Sequence, residues 1–240
     1  MSIIRAYQRA LTAASPHQAN KRFLVPNRKL GGEPVPPVRT RQLRFSDVTA
    51  TYINNFADDQ PETPHEFTFV YTINRESATV YAVWQTENNR YGDEYNNVNW
   101  RTFRRGNNVN TPTSVPVGTD TTISSHWLDN EDTTGTNTYI VDGGTPVPVF
   151  IDTLTGTGTG ELTIGARATH SNPFPGIIKD VKIYDSNLNL THWWPIDQVD
   201  EAAWIADPAS QSIRDIGPGS NGDGPLPGKL TIGGGAWEDV

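Results

Sequence analysis

The run from His65 to Asn74, HEFTFVYTIN, alternates cleanly: Phe67, Phe69, Tyr71 and Ile73 share one phase, and Glu66, Thr68, Thr72 and Asn74 the other. Successive side chains of a strand point to opposite faces, so this run predicts an antiparallel strand with one buried and one wet face. Working outward, further strand signals follow closely: residues 41–47, 49–56, 79–87, 98–105, 121–129, 137–143, 147–154, 161–168, 176–185 and 190–196. No sustained helical pattern separates them, and 21 glycines and 18 prolines favour short strands joined by turns. The expectation is an all-β chain folded as a two-sheet antiparallel sandwich. Two short helices are also predicted, at residues 1–14, where Ile3, Ile4, Tyr7 and Leu11 fall at helical spacing, and at 200–207.

The charge is segregated. Residues 1–45 carry nine Lys/Arg against one acid, a net of +8, while the remaining 195 hold ten against twenty-six, a net of −16. Residues 15–38 are broken by seven prolines and glycines, which forbids a helix and favours an extended path. A boundary near residue 40 therefore divides a basic, Pro-rich arm (1–40) from a folded body. Arg5, Arg9, Lys21, Arg22, Arg28 and Lys29 are the arm's candidate anchoring residues, suited to an acidic protein surface. They are dispersed and lack aromatic interleaving, which argues against nucleic acid. No run approaches the roughly 20 apolar residues of a membrane span. The opening MSIIRAYQRAL carries charges every few residues and lacks the apolar core of a secretory signal. With no cysteine, disulfides and thiol catalysis are excluded.

Five segments, in order, resemble the laminin-G-like, concanavalin-like jelly rolls. LRFSDVTATYIN (43–54) is similar to the opening of that domain and EFTFVYTI (66–73) to the next strand. TNTYIVDGG (136–144) resembles its strand-and-turn, with Asp142-Gly143 as the tight turn, ELTIGARA (161–168) the strand after it, and FPGIIKDVKIYD (174–185) the closing strand. The resemblance implies a jelly-roll sandwich over residues 41–186, followed by a C-terminal extension (187–240) packed on it as a strap. In the closing strand Ile178 is out of phase with Val181 and Ile183, which predicts a bulge near Lys179. Gly165 and Gly176 are expected where backbone turns or packs closely. Trp193 and Trp194, adjacent in an extended segment, should face opposite ways, with one packed on the body and the other partly exposed or covered by the tail; Pro195 should end the pairing.

Catalytic patterns are missing. No strand carries alternate carboxylates of the glycosidase type, there is no G-x-S-x-G or H-E-x-x-H, and the five histidines have no ligand spacing. TGTGTGE (155–161) has no following helix pattern and reads as a loop. The chain is read as a binding or structural protein, not an enzyme. The resemblance implies two sites. A glycan site needs aromatic faces beside polar groups; residues 84–100 are richest in both, with Asn88, Asn89, Tyr91, Asp93, Tyr95 and Asn97 as candidates. Tyr91 and Tyr95 are expected exposed there, and Trp84 and Trp100 in the core. A Ca²⁺ site, wanting six to eight oxygens, would draw on Asp129, Glu131 and Asp132, with Asn130 between them, although the spacing departs from the D-x-[DN]-x-[DN]-G loop.

Arm, sandwich and Gly-rich tail together resemble virion components of tailed bacteriophages. The expectation is a structural protein made in a host cytoplasm and carried on the particle, as capsid decoration or in a tail or fibre. Its arm would hold other virion proteins within a symmetric assembly, and its lectin-like sandwich would contact host-surface glycans. The alternative is a free-standing carbohydrate-binding or adhesion module.

Overall fold

The computed structural model describes residues 41–45, 49–52, 65–87, 90–96, 99–102, 109–111, 114–130, 134–151, 161–169, 171–196, 205–207, 212–213, 215, 217, 230–233 and 237–239. Every regular element among them is a strand. In chain order these are β1 (Arg41–Leu43), β2 (Thr49–Tyr52), β3 (His65–Arg75), β4 (Val80–Thr86), β5 (Gly92–Asn96), β6 (Trp100–Thr102), β7 (Val109–Asn110), β8 (Asp120–Asp129) and β9 (Gly135–Val141). There follow β10 (Val147–Ile151), β11 (Leu162–Ile164), β12 (Gly176–Tyr184), β13 (Leu190–Trp194), β14 (Ile205–Asp207), β15 (Ser212–Ile213), β16 (Leu230–Gly233) and β17 (Trp237–Asp239).

A six-stranded antiparallel sheet runs β10-β9-β8-β3-β12-β13, and a nine-stranded one runs β14-β15-β16-β2-β11-β4-β5-β6-β7. β1 and β17 form a separate antiparallel pair. The chain is an all-β sandwich, as the alternation in residues 65–74 predicts. That run is β3, central in the six-stranded sheet, with Phe67, Phe69, Tyr71 and Ile73 buried against the other sheet. Phe69 stacks on Trp84 of β4, ring centroids 4.2 Å apart and planes at 4°. Trp127, Trp100, Tyr81 and Phe174 complete an aromatic core. Fully burying each such ring adds about 1.5–3 kcal/mol by area.

Local expectations are met at several points. β12 pairs with β3 in register Ile178↔Ile73 and then Asp180↔Thr72, so Lys179 is the extra residue of a bulge. Asp142 and Gly143 both take positive φ (48° and 70°), the geometry of a primed turn after β9. Gly176 has φ 154°, and a Cβ there would lie 2.1 Å from the Asn74 carbonyl oxygen. Two expectations are corrected. Residues 92–96, outside every expected strand, form β5, and Ile205–Asp207, read as the end of a helix, form β14. The helix expected over residues 1–14 and the arm lie outside the described residues.

Trp193 and Trp194 do face opposite ways, and β13 ends just before Pro195. Trp194 belongs to the inter-sheet core, whereas Trp193 joins Tyr184, Leu190 and Val70 in a second cluster. Neither is exposed: Trp193 is 2% and Trp194 0% accessible. The Trp193 indole N–H donates to Asp180 at 2.5 Å, and Lys182 lies 4.3 Å over its ring. β13 is an edge strand, and Asp215 of the tail covers part of that edge by accepting the Trp193 backbone N–H at 2.8 Å and pairing with His192 at 2.6 Å.

Candidate functional site

β4, β5 and β6 each carry aromatic residues inward and polar residues outward. Glu94 of β5 sits opposite Ala82 on one side and Arg101 on the other, so the three share a face. Ala82 and Gln85, three apart, would face opposite ways in a regular strand. The register shift between Ala82 and Trp84 removes that difference and puts Gln85, paired with Gly92, on the same outer face as Glu94. The small residues Ala82 and Gly92 thus alternate with Gln85 and Glu94.

The segment after β11 borders this face. It runs beside β4, with Gly165 N–H donating to Val83 O at 2.7 Å and Ala82 N–H to Asn172 O at 3.0 Å. From it Arg167 reaches Glu94, and the Ala168 N–H donates to Gln85 Oε1 at 2.9 Å. Glu94 Oε1 accepts from Arg167 Nη2 at 2.6 Å and Arg101 Nη2 at 2.7 Å. Glu94 is fully buried and Gln85 is 1% exposed, while the Arg101 and Arg167 side chains stay 16% and 29% accessible. One buried carboxylate thus holds two guanidiniums that reach solvent.

Around it, the buried Glu94 Oε2, Gln85 Nε2 and Arg101 Nε have no hydrogen-bond partner among the described residues. A buried polar atom left unmatched costs about 1–3 kcal/mol. All three atoms are closed to solvent, so what this cluster presents at the surface is the Arg101 and Arg167 side chains.

Three of the six residues expected at a glycan site from sequence, Tyr91, Asp93 and Tyr95, are described. Asn88, Asn89 and Asn97 lie outside the described residues. Tyr91 and Tyr95, expected exposed, are 1% and 5% accessible, and Asp93 is fully buried. The cause is strand phase: β5 turns Asp93 and Tyr95 inward and Glu94 outward. Tyr95 stacks on Tyr81 at 5.3 Å with the Arg75 guanidinium 4.4 Å over its ring. Tyr91 packs edge-on to Phe67 at 5.1 Å and Trp127 at 5.2 Å. Trp84 and Trp100 are core residues, as expected.

Asp93 is the hub of a polar network inside the sandwich. Its Oδ2 accepts from Tyr71 Oη at 2.8 Å and Trp84 Nε1 at 2.7 Å, and its Oδ1 accepts from Tyr139 Oη at 2.5 Å, with Ser125 Oγ and Asn137 Nδ2 at 3.3 Å. Burial pushes the Asp93 carboxyl up to about 6, against the downward pull of the Tyr139, Tyr71, Trp84 and Ser125 hydrogen bonds. Burial, and then the Asp93 charge, hold both tyrosine hydroxyls well above their ordinary value.

Of the expected calcium ligands, Glu131 and Asp132 lie outside the described residues. Asp129 is fully buried; Arg90 Nη2 donates to its Oδ1 at 2.5 Å, and Arg90 Nε and Tyr91 Oη donate to its Oδ2. An ion there would have to displace that guanidinium. Among the described residues no three His, Cys, Asp or Glu side chains are grouped to hold a metal. Arg5, Arg9, Lys21, Arg22, Arg28 and Lys29 also lie outside the described residues.

Sequence reading missed Gln85, Glu94, Arg101 and Arg167. A signal was present for three of them: in WQ (84–85), DEY (93–95) and WR (100–101) each polar residue directly neighbours an aromatic that strand alternation sends inward.

No family model matches the sequence, and neither does any curated protein. Among solved structures, a candidate carbohydrate-binding protein of Bacteroides ovatus superposes with a TM-score of 0.57 at 12% identity, over 87% of this chain and 62% of that one. The chain therefore spans less than two thirds of that protein's length. A heptameric SAP-like pentraxin of Limulus polyphemus (TM-score 0.38, 11% identity, 62% of this chain and 74% of that one) also matches. So does Trypanosoma rangeli sialidase (TM-score 0.41, 16% identity, 63% of this chain and 26% of that one). The first likeness and the strand topology together define the class: a two-sheet antiparallel jelly-roll sandwich. Among the described residues no helix is long and apolar enough to cross a membrane.

Proposed function

We propose that the chain is a non-enzymatic, lectin-like carbohydrate-binding module whose ligand lies on the outer face of β4–β6. The observation that carries this reading is the pair of guanidiniums there, Arg101 and Arg167, held by the buried Glu94 carboxylate with their side chains 16% and 29% accessible. Guanidiniums at a surface donate to the hydroxyl oxygens of a polyol, and the buried Glu94 carboxylate fixes their orientation. The likeness to the Bacteroides ovatus protein supports the reading at the level of fold. The test is a glycan array probed with the full chain: selective saccharide binding that Glu94→Gln weakens is expected, and a uniformly blank array overturns the reading.

In its fuller form the module is part of a tailed-phage virion, held there by residues 1–40 and displayed to the host surface. The charge segregation supports this, a net +8 over residues 1–45 on a body of net −16, because an extended basic arm can lie across acidic neighbours. Deleting residues 2–40 tests it. The shortened chain should fail to enter particles and retain its glycan binding; incorporation without the arm would leave only the free-standing module.

A further inference from the structure

Phe150 of β10 is 62% accessible, the most exposed large apolar side chain among the described residues. It stands on the outer face of the six-stranded sheet, at the head of a row that crosses three more strands. Phe150 is opposite Thr136 of β9, Thr136 opposite Leu128 of β8, and Leu128 opposite Glu66 of β3. Thr136 and Leu128 are half-buried and the Glu66 side chain is 34% accessible, so the row is open to a partner. β10 is also the edge of its sheet. The Asp142 N–H donates to Thr122 O at 2.8 Å, which turns the even-numbered residues of β9 toward β8 and the odd-numbered ones toward β10. Pro148 and Phe150 therefore turn their backbone to the open side, and Pro148 has no N–H to offer there. The edge is blunted against an added strand. What remains for a partner is the Phe150 ring and the row behind it.

We infer that the occupant of this row is the proline-rich end of the basic arm, residues 33–39 (EPVPPVR), of a second copy of this chain. This rests on the reading of residues 1–40 as an anchoring arm and names its acceptor. Proline-rich segments run extended as polyproline II, offer few N–H groups and are recognised by aromatic faces, which suits an exposed phenylalanine beside an edge that lacks a donor. Five residues separate Pro34 from Arg39, about 15 Å in that conformation. Three strand spacings separate Phe150 from Glu66, about 14 Å. Pro34 on the Phe150 ring thus brings the Arg39 guanidinium to the Glu66 carboxylate. The same chain cannot supply the segment. Arg44 is bridged to Ile177, which pairs with Asn74, and Glu66 lies eight residues from Asn74, roughly 26 Å along β3. Arg39, five residues before Arg44, reaches at most about 18 Å from it. Bodies of net −16 repel one another, and an arm segment of net +8 supplies the attraction between copies.

The experiment replaces Phe150 in the full chain by the photo-crosslinker p-benzoylphenylalanine, mixes equal amounts of isotope-labelled and unlabelled chains, and maps the cross-links by mass spectrometry. Links from position 150 to residues 31–40 of the other isotopic chain are expected. Sedimentation equilibrium should show self-association of the full chain that Phe150→Ser weakens at least tenfold, with thermal melting unchanged because the ring is exposed. Arg39→Glu should weaken it at least fivefold, and adding Glu66→Arg to that variant should restore it to within twofold. Links confined to one chain, or links from position 150 to another copy's sandwich, overturn the inference. So does a full chain that stays monomeric; the anchoring reading is then judged separately, by whether chains lacking residues 2–40 still enter particles. Loss of saccharide binding in Phe150→Ser with association intact would assign the ring to a sugar and overturn the inference as well.

Discussion

The Tyr91 hydroxyl donates to Asp129 at 2.7 Å, joining the residue just before β5 to the one that closes β8. Sequence reading put these two in different sites, one for a sugar and one for calcium; in the fold they are one buried contact, completed by Arg90. The contact links the two sheets at one edge of the aromatic core. Tyr91→Phe should lose about 1 kcal/mol. Asp129→Ala should lose about 3–5 kcal/mol, because it strands a guanidinium that is only 8% exposed. Urea denaturation reads both, and a loss under about 1 kcal/mol for Asp129→Ala contradicts the structural role. Tyr91→Phe should leave saccharide affinity within twofold.

Asp93 makes stability depend on pH in an unusual direction for a carboxylate. Its folded value, about 6, lies above the ordinary 3.8, so the folded state holds the proton more tightly than the unfolded one. The contribution is therefore complete below pH of about 4 and is lost as pH rises through about 6. The amplitude is about 3 kcal/mol at most, from about 1.4 kcal/mol for each pH unit of difference. Asp93→Asn removes the titration. The stability of the natural chain minus that of the variant should fall between pH 4 and pH 7. A flat or rising difference in guanidinium melts would show that burial does not dominate at this carboxyl.

How much of this was legible depended on whether a strand's two faces differ in polarity. β3 does differ, with aromatics on one face and Thr and Asn on the other, and its extent was read to within a residue. The Lys179 bulge was legible because a bulge shifts that phase visibly. β5 reads Gly-Asp-Glu-Tyr-Asn, with a carboxylate on each face, and so lacks the hydrophobic period that marks a strand. Its inward carboxylate is tolerated only because β3, β4, β8 and β9 supply five donors, from residues 9 to 46 positions away. No local pattern encodes such a set. The same holds for Arg167, 73 positions from Glu94 and set beside it by the pairing of β11 with β4.

Gly176 shows where backbone alone decides. Its φ of 154° and the 2.1 Å approach of the Asn74 carbonyl leave no space for a side chain, and that oxygen cannot swing away without breaking β3. Gly176→Ala should cost more than 3 kcal/mol, above the usual range for a single substitution. A thermal midpoint within about 2 °C of the natural chain would contradict the packing at the β3–β12 end.

The tryptophan pair offers the last test, because its two rings are buried for different reasons. Trp194 fills the inter-sheet core, its indole stacked on His192 at 5.2 Å, and Trp194→Ala should cost about 3–5 kcal/mol in cavity and transfer terms. Trp193 lies on the outer face, held by Asp180 and Lys182. Trp193→Phe keeps most of that apolar contact and loses the indole N–H, so it should cost only about 1–2 kcal/mol, the Asp180 carboxylate losing its donor. Asp215→Ala separates the strap from the strand. It removes the acceptor for the Trp193 and Gly217 backbone N–H groups and the partner of His192, yet leaves both indoles in place. If the tail is latched through Asp215, hydrogen exchange should quicken at the Trp193 and Gly217 amides while the β3–β8 amides stay protected. Unchanged exchange at Trp193 would mean that the edge of β13 is sealed by something other than the tail carboxylate.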